Sequence, residues 1–296
     1  MGFFSDSDKR SRRDSASGEK ASDKVLVPAI ELPSFEPGVA SEGLRGSGSL
    51  STGDTSGPPL IFNKFSTDKI RELMAWSGIF SAIEAKGYTD YELDLEYLSE
   101  MDQRIYIRAA GVVLIHIRLK LSDFGLRLHP GNPRCRLLYI DWLLTQHPRS
   151  ARVREERLFP GQELPGLGIF TQISDFITNL ALGVGADGAF NIPEYFHDAM
   201  LFHRQFFHYD PHREAFLRAI IRDLRQYGAR QISRAFSDGR IVDHSGSPVN
   251  WTPAEMISVI KPELEEQLWS RDYYTRVVRE IKRMRFAMLP VKEEQS

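Results

Sequence analysis

Three groups of residues in this 296-residue chain have types and spacings suited to chemistry. The first is the loop Gly161-Gln162-Glu163-Leu164-Pro165-Gly166-Leu167-Gly168. It follows an apolar run, Leu137 to Leu144, and precedes a helix-like run, Ile169 to Leu182. A glycine-bearing loop that opens a helix leaves backbone N–H groups free. Those donors and the positive end of the helix dipole suit a phosphate or another anion. Gly-x-Gly by itself equally fits an ordinary strand-to-helix connection. The second group is His197, His203, His208 and His212, with Glu194, Tyr195 and Asp198 nearby. Histidine titrates near neutrality and can act as a general base toward an amine. His197 and His203 are the catalytic candidates, because they sit on a helix that follows a short strand. His208 and His212 have i, i+4 spacing, but Pro211 interrupts a helix there, so no metal site is expected. The third group is Asp141, beside Trp142 in an apolar strand. Burying a carboxylate is costly unless it is paired. It either pairs with an arginine or faces a substrate amine as a base.

The elements that position these groups come from a chain of net charge −2, so no global basic field points to nucleic acid. Cys135 is the only cysteine, which excludes an internal disulfide and a multi-cysteine metal site. No apolar run reaches the roughly 18 residues needed to span a bilayer. Nor does the N-terminus show an apolar core of signal-peptide length. Met1-Gly2-Phe3-Phe4-Ser5-Asp6 has Asp6 where a myristoylation site wants Ser or Thr. The expectation is a cytoplasmic protein.

Residues 1–58 are rich in Ser, Gly, Asp, Lys and Pro and are expected to be a disordered tail. Within them Val25 to Leu32 is an apolar island suited to a docking peptide, and Lys9 to Arg13 is a basic cluster. From residue 59 to 210 a mixed α/β domain is expected. Ser66 or Thr67 caps a helix bearing Ile70, Leu73, Met74, Phe80 and Ile83, closed by Gly87. Tyr91, Leu93 and Leu95 alternate with acids as in a half-buried strand. Gln103 to Arg108, Val112 to Leu121, Phe124 to Leu128 and Arg136 to Leu144 read as further strands. Their short turns favour antiparallel pairing. After Gly168 come a helix, a short strand at Ala189 to Ile192, and a helix opened by Pro193. Residues 211–296 read as a helical extension, with a long charged helix from Leu264 to Met288.

In this order of elements the chain resembles the GNAT acyltransferase superfamily over roughly residues 60 to 210. In that family a strand ends in a loop of type Gln/Arg-x-x-Gly-x-Gly/Ala, whose amides hold the pyrophosphate of an acyl-CoA. Gly166-Leu167-Gly168 matches the Gly-x-Gly part; Gln162 is one residue too far upstream, and Glu163 stands at the Gln/Arg place. The family's Asn-x-x-Ala-x-x-Leu-Tyr pattern, anchored on Ala199, puts Phe196, Phe202 and His203 at the Asn, Leu and Tyr places. Phe206-Phe207 supply the aromatic turn. The resemblance implies a GNAT-like, mainly antiparallel sheet flanked by helices. It implies acyl-CoA, most readily acetyl-CoA, at Gly166, Leu167 and Gly168, and transfer of the acyl group to a small-molecule or protein amine. Asp141, a histidine or a water chain would deprotonate that amine. His203 stands where the family has the tyrosine that protonates the leaving thiolate. The alternative is a GNAT-shaped binding or scaffold protein without catalysis, in keeping with Glu163, the missing tyrosine and the charged C-terminal helix. Homo-oligomers through that helix are a further expectation.

Overall fold

The computed structural model describes residues 30–31, 60–99, 101–126, 134–150 and 157–291. Ser66 caps the first helix, α1 (Thr67–Trp76), its hydroxyl accepting from the Lys69 amide at 3.3 Å. The helix expected to continue to Ile83 is broken. Gly78 takes φ +75 and starts a second helix, α2 (Ile79–Glu84). Ile70, Met74, Ile79 and Ile83 are all fully buried despite the break, so one apolar face spans both helices.

A meander of four antiparallel strands follows: β2 (Glu92–Ser99), β3 (Asp102–Ala109), β4 (Val112–Leu126) and β5 (Arg134–Thr145). The expected strands Val112 to Leu121 and Phe124 to Leu128 are one continuous β4 as far as Leu126. Ser122 and Asp123 stay in the ladder because Leu137 and Arg136 of β5 pair with them. Cross-strand partners here override local polarity. Ahead of these lies β1 (Ile30–Glu31), whose two residues pair antiparallel with Leu126 and Gly125. The expectations for the remainder of residues 1–58 lie outside the described residues.

A crossover through α3 (Phe170–Val184) returns the chain to β6 (Gly188–Asn191), which runs parallel to β5. Among the described residues this is the sheet's one parallel contact. Such a pair needs a long crossover, which α3 supplies. Then come α4 (Phe196–Phe202), β7 (Phe207–His208), α5 (Pro211–Asp223), α6 (Ala229–Ser237), β8 (Ile241–Asp243), β9 (Met256–Val259), α7 (Pro262–Leu268), α8 (Arg271–Arg283) and β10 (Phe286–Met288). The main sheet has the order β2-β3-β4-β5-β6-β9-β7, with β1 beside β4, and β8 pairs with β10 in a separate ribbon. The fold is a mixed α/β arrangement with a mostly antiparallel sheet flanked by helices.

Over residues 211–291 strands interrupt the helical extension expected for 211–296, among them β8 (Ile241–Asp243), which pairs with β10. The long helix from Leu264 to Met288 is α7, α8 and β10, and Ser270 caps α8 by accepting from the Tyr273 amide. β9, absent from the expected elements, sits between β6 and β7 in the main sheet. Likewise α4 begins at Phe196 after Tyr195 and not at Pro193.

The two sheet faces are covered differently. Ile105, Ile107, Ile115, Ile117, Leu119, Leu138 and Ile140 pack with Ile70, Met74, Ile173, Phe176 and Ile177 in the larger core. Burying each such side chain stabilises by roughly 1.5–3 kcal/mol. On the other face Phe124, Leu126, Leu137 and Phe190 pack beneath Leu264 and Leu268 of α7. Cys135 belongs to this smaller core; burial pushes its thiol up to about 12.

Candidate functional site

The parallel pair β5–β6 forms a fork. Its pairing covers only Leu137↔Gly188, Leu138↔Ala189 and Tyr139↔Phe190. β6 ends at Asn191, whereas β5 runs on to Thr145, held on its other edge by β4. A β-bulge lies where the two strands part: Trp142 pairs with Arg118 and Ile140 with Leu119, leaving Asp141 as the extra residue. A bulge bends its strand and sharpens the local twist. At the fork's β6 side, the side-chain Oδ1 of Asn191 is buried and meets no hydrogen-bond donor among the described residues. A buried acceptor without a donor costs about 1–3 kcal/mol.

Residues 157–169 link β5 to α3 and close on both. The Phe159 amide donates to Gln162 Oε1 at 3.2 Å, and the Gln162 amide to the Phe159 carbonyl at 3.1 Å. Gly161 is at φ +79, and a Cβ there would approach the Tyr195 hydroxyl to 2.8 Å, so both backbone and space require glycine. Thus Gln162 serves the turn. Further on, the Pro165 carbonyl accepts from the His147 amide at 2.8 Å, which fastens the loop to the end of β5. Leu167 is fully buried, and around this anchor Gly166 and Gly168 are exposed. Gly168 is at φ +67 and leads directly into α3, whose N-terminus at Ile169 has no side-chain cap and no acid in its first turn. The amides at this end are suited to an anion. Glu163 is exposed.

Asp141 is engaged by two cations across the strand. It forms an ion pair with Arg118 and a second with Lys120 Nζ at 3.2 Å. This is the paired arrangement anticipated for an acid in an apolar strand. It is also one rung of a wider array on that face: Arg104 pairs with Asp102 at 2.7 Å, and Arg108 with Asp94. Nearby, Tyr106 and His116 stack at 4.3 Å.

His197 and His203 stand at the two ends of α4 in contrasting surroundings. His197 is buried and stacked on Phe159 of the loop, ring centroids 4.4 Å apart. Its Nδ1 lies 2.8 Å from Ser233 Oγ of α6, and its Nε2 lies 3.4 Å from Asp198 Oδ1. Burial pulls the imidazole down to about 4, so it is neutral at pH 7. Desolvation pushes the Asp198 carboxyl up to about 6, below neutrality, so Asp198 is charged. The neutral ring carries one N–H and one acceptor nitrogen, so either Nδ1 or Nε2 is its basic position.

His203 donates from Nε2 to Glu214 Oε1 at 2.7 Å. Glu214 has no exposed surface and also accepts from Arg218 Nε at 2.6 Å and from the His208 amide at 2.9 Å. Burial alone would raise this carboxyl, but the His203 bond, Arg218 and the amide outweigh it and hold it below the usual range. His208 is also buried; desolvation lowers it to about 4, and its carbonyl accepts from Tyr273 Oη at 2.6 Å. Pro211 is the first residue of α5, with Asp210 as its cap, so His208 and His212 fall on different elements. No cluster of three or more His, Cys, Asp or Glu among the described residues is arranged to hold a metal ion. No helix among them is long and apolar enough to cross a membrane.

The segment ahead of the glycine loop lies against His197 through Phe159, and the loop's own Gly161 lies beside Tyr195 of the histidine group. No contact joins Asp141 to either histidine among the described residues. Ser233, Asn191 and Glu214 carry no sequence signal; Ser233 reaches His197 from 36 residues away. No protein-family profile matches this chain, and no curated protein is significantly similar to it.

Proposed function

We propose that the protein binds an acyl-CoA, acetyl-CoA in the simplest case, in the fork between β5 and β6 and transfers the acyl group to an amine. The observation that carries this is the fork: a parallel pair that parts after Tyr139 and Phe190, beside exposed Gly166 and Gly168 at an uncapped helix start. In this reading the amides from Leu167 onward take the pyrophosphate. The unmatched acceptor of Asn191 suits an amide N–H of the pantetheine arm. The neutral imidazole of His197 is the base toward the amine, with Asp198 orienting it. His203 is the candidate donor to the departing thiolate, and Asp141, engaged by Arg118 and Lys120, is the weaker candidate base. A cytoplasmic setting accords with such a cofactor. A second copy of the chain would meet Tyr274 and Val278, exposed one turn apart on α8.

A second reading, a GNAT-shaped binding protein without turnover, is favoured by one fact. Two of the three candidate catalytic groups, Asp141 and His203, are already held by charged neighbours. Calorimetric titration with acetyl-CoA and longer acyl-CoAs, followed by thiol-release assays on a panel of amines, separates the readings. Binding with turnover supports the transferase, and binding without turnover supports the second reading. The absence of heat with every acyl-CoA removes both.

A further inference from the structure

Ser233 has no role in direct acyl transfer from a thioester to an amine. It nevertheless forms a hydrogen-bonded pair with His197, Ser233 Oγ to Nδ1 at 2.8 Å, and Asp198 Oδ1 is the carboxylate near the ring's other nitrogen, 3.4 Å from Nε2. The three residues come from two helices, α4 and α6, that pack directly on each other. Ser233 also lines a cavity of about 280 Å³. Phe196, Phe236 and Trp251 give that cavity apolar walls, and Glu194, Ser237 and Asn250 line it with polar groups. The stacked rings of Phe159 and Tyr195 keep His197 in place. A serine hydroxyl is a weak nucleophile unless an adjacent base takes its proton, and the base in turn needs a group that fixes its tautomer. His197 and Asp198 are the candidates for these two roles.

We infer that Ser233 is an acyl-accepting nucleophile, with His197 as its general base and Asp198 as the residue that positions the imidazole, acting on a small acyl ester or thioester in this cavity. Ser233 Oγ attacks the acyl carbonyl carbon while its proton passes to His197 Nδ1. The carbon–oxygen or carbon–sulfur bond to the leaving group breaks, and the leaving alcohol or thiol takes the proton from Nδ1. The product is an ester on Ser233. Water or an amine then attacks that ester, His197 takes the attacking group's proton, and the same proton returns to Ser233 Oγ as the carbon–oxygen bond breaks. The apolar walls suit short acyl chains. The inference does not rest on CoA binding at the fork, because an ester of any alcohol serves as substrate.

The test is treatment of the full chain with phenylmethanesulfonyl fluoride, read by intact mass and by peptide mapping. The expected result is one sulfonyl adduct, at Ser233. His197→Gln is expected to lower the labelling rate at least 100-fold, within the range of general-base contributions. Asp198→Asn is expected to lower it about tenfold through the imidazole, and Asp198→Glu to restore most of it. Hydrolysis of p-nitrophenyl acetate should follow the same order, with Ser233→Ala at background. Absence of a Ser233 adduct on the wild-type chain at excess reagent overturns the inference. So does an adduct whose rate is unchanged in a folded His197→Gln variant. Because the first reading uses the unmodified protein, a variant that fails to fold does not blunt the test.

Discussion

The two ends of α4 carry the same side chain in opposite electrostatic settings. At the N-terminal end His197 lies among aromatic rings, with one serine and one partly exposed carboxylate for partners. At the C-terminal end His203 is bonded to a fully buried carboxylate that also holds Arg218 and a backbone amide. The first arrangement keeps an imidazole neutral and ready to accept a proton. The second ties α4, β7 and α5 together, and each charge in it compensates another. Burial by rings keeps a histidine neutral, whereas a bond to a buried carboxylate also fastens it to its neighbours.

The largest expected effect separates these roles. Glu214→Ala leaves His203, Arg218 and the His208 amide without their acceptor. Breaking a buried charge network typically costs about 3–5 kcal/mol, on the order of 10 °C in melting temperature. Thermal unfolding should show this for Glu214→Ala. Ser233→Ala loses one hydrogen bond, about 1 kcal/mol, and should barely move the midpoint. Equal shifts for the two variants would collapse the contrast.

Acid comes next. His197 and His208 are both pulled down to about 4, so the unfolded chain binds protons that the folded chain refuses. Their contribution is present above the unfolded value near 6.5 and is lost as pH falls toward 4, by up to roughly 3 kcal/mol each. Glu214, held low, adds to this loss on further acidification. Asp198 acts in the opposite sense: its raised value gives a contribution present below about 3.8 and lost as pH rises through about 6. Two histidines outweigh one partly exposed acid. Denaturant midpoints should therefore fall between pH 6.5 and 4, and His208→Gln should flatten that slope. An unchanged slope would show that His208 is not the buried neutral group described.

The smallest effect concerns Glu163. Glu163 is exposed, and in the proposed complex it would repel the pyrophosphate across solvent, screened by salt. Glu163→Gln should tighten acyl-CoA binding about two- to threefold at low salt, on the order of half a kcal/mol. The difference should vanish at high ionic strength. Weaker binding in the variant would place the phosphates elsewhere.

Where local pattern decided the structure, the sequence was legible. Tyr91, Leu93 and Leu95 announced β2, and the Ile173, Phe176, Ile177 and Leu180 face announced α3. The loop from Gly161 to Gly168 fell between strand and helix as its glycines indicated. Where distant partners decided, it was not. Ser122 and Asp123 resemble a turn but are carried through β4 by β5. Met256 to Val259 is too short to show a period and becomes β9 only because β6 and β7 flank it. Gly78 broke a helix whose apolar face was otherwise continuous. At the site, the adjacency of His197 and Asp198 was visible, but a serine inside an amphipathic helix resembles any other surface-patterned serine. Only packing of α6 against α4 gives Ser233 its meaning.

Amide hydrogen exchange of the full chain with and without saturating acetyl-CoA tests the central claim most directly. The expected result is slowed exchange concentrated at Leu167 to Thr171, the loop end and first turn of α3, with α5 and α8 unchanged. Unaltered exchange at those amides, or protection confined to another part of the molecule, would contradict a cofactor site in the β5–β6 fork.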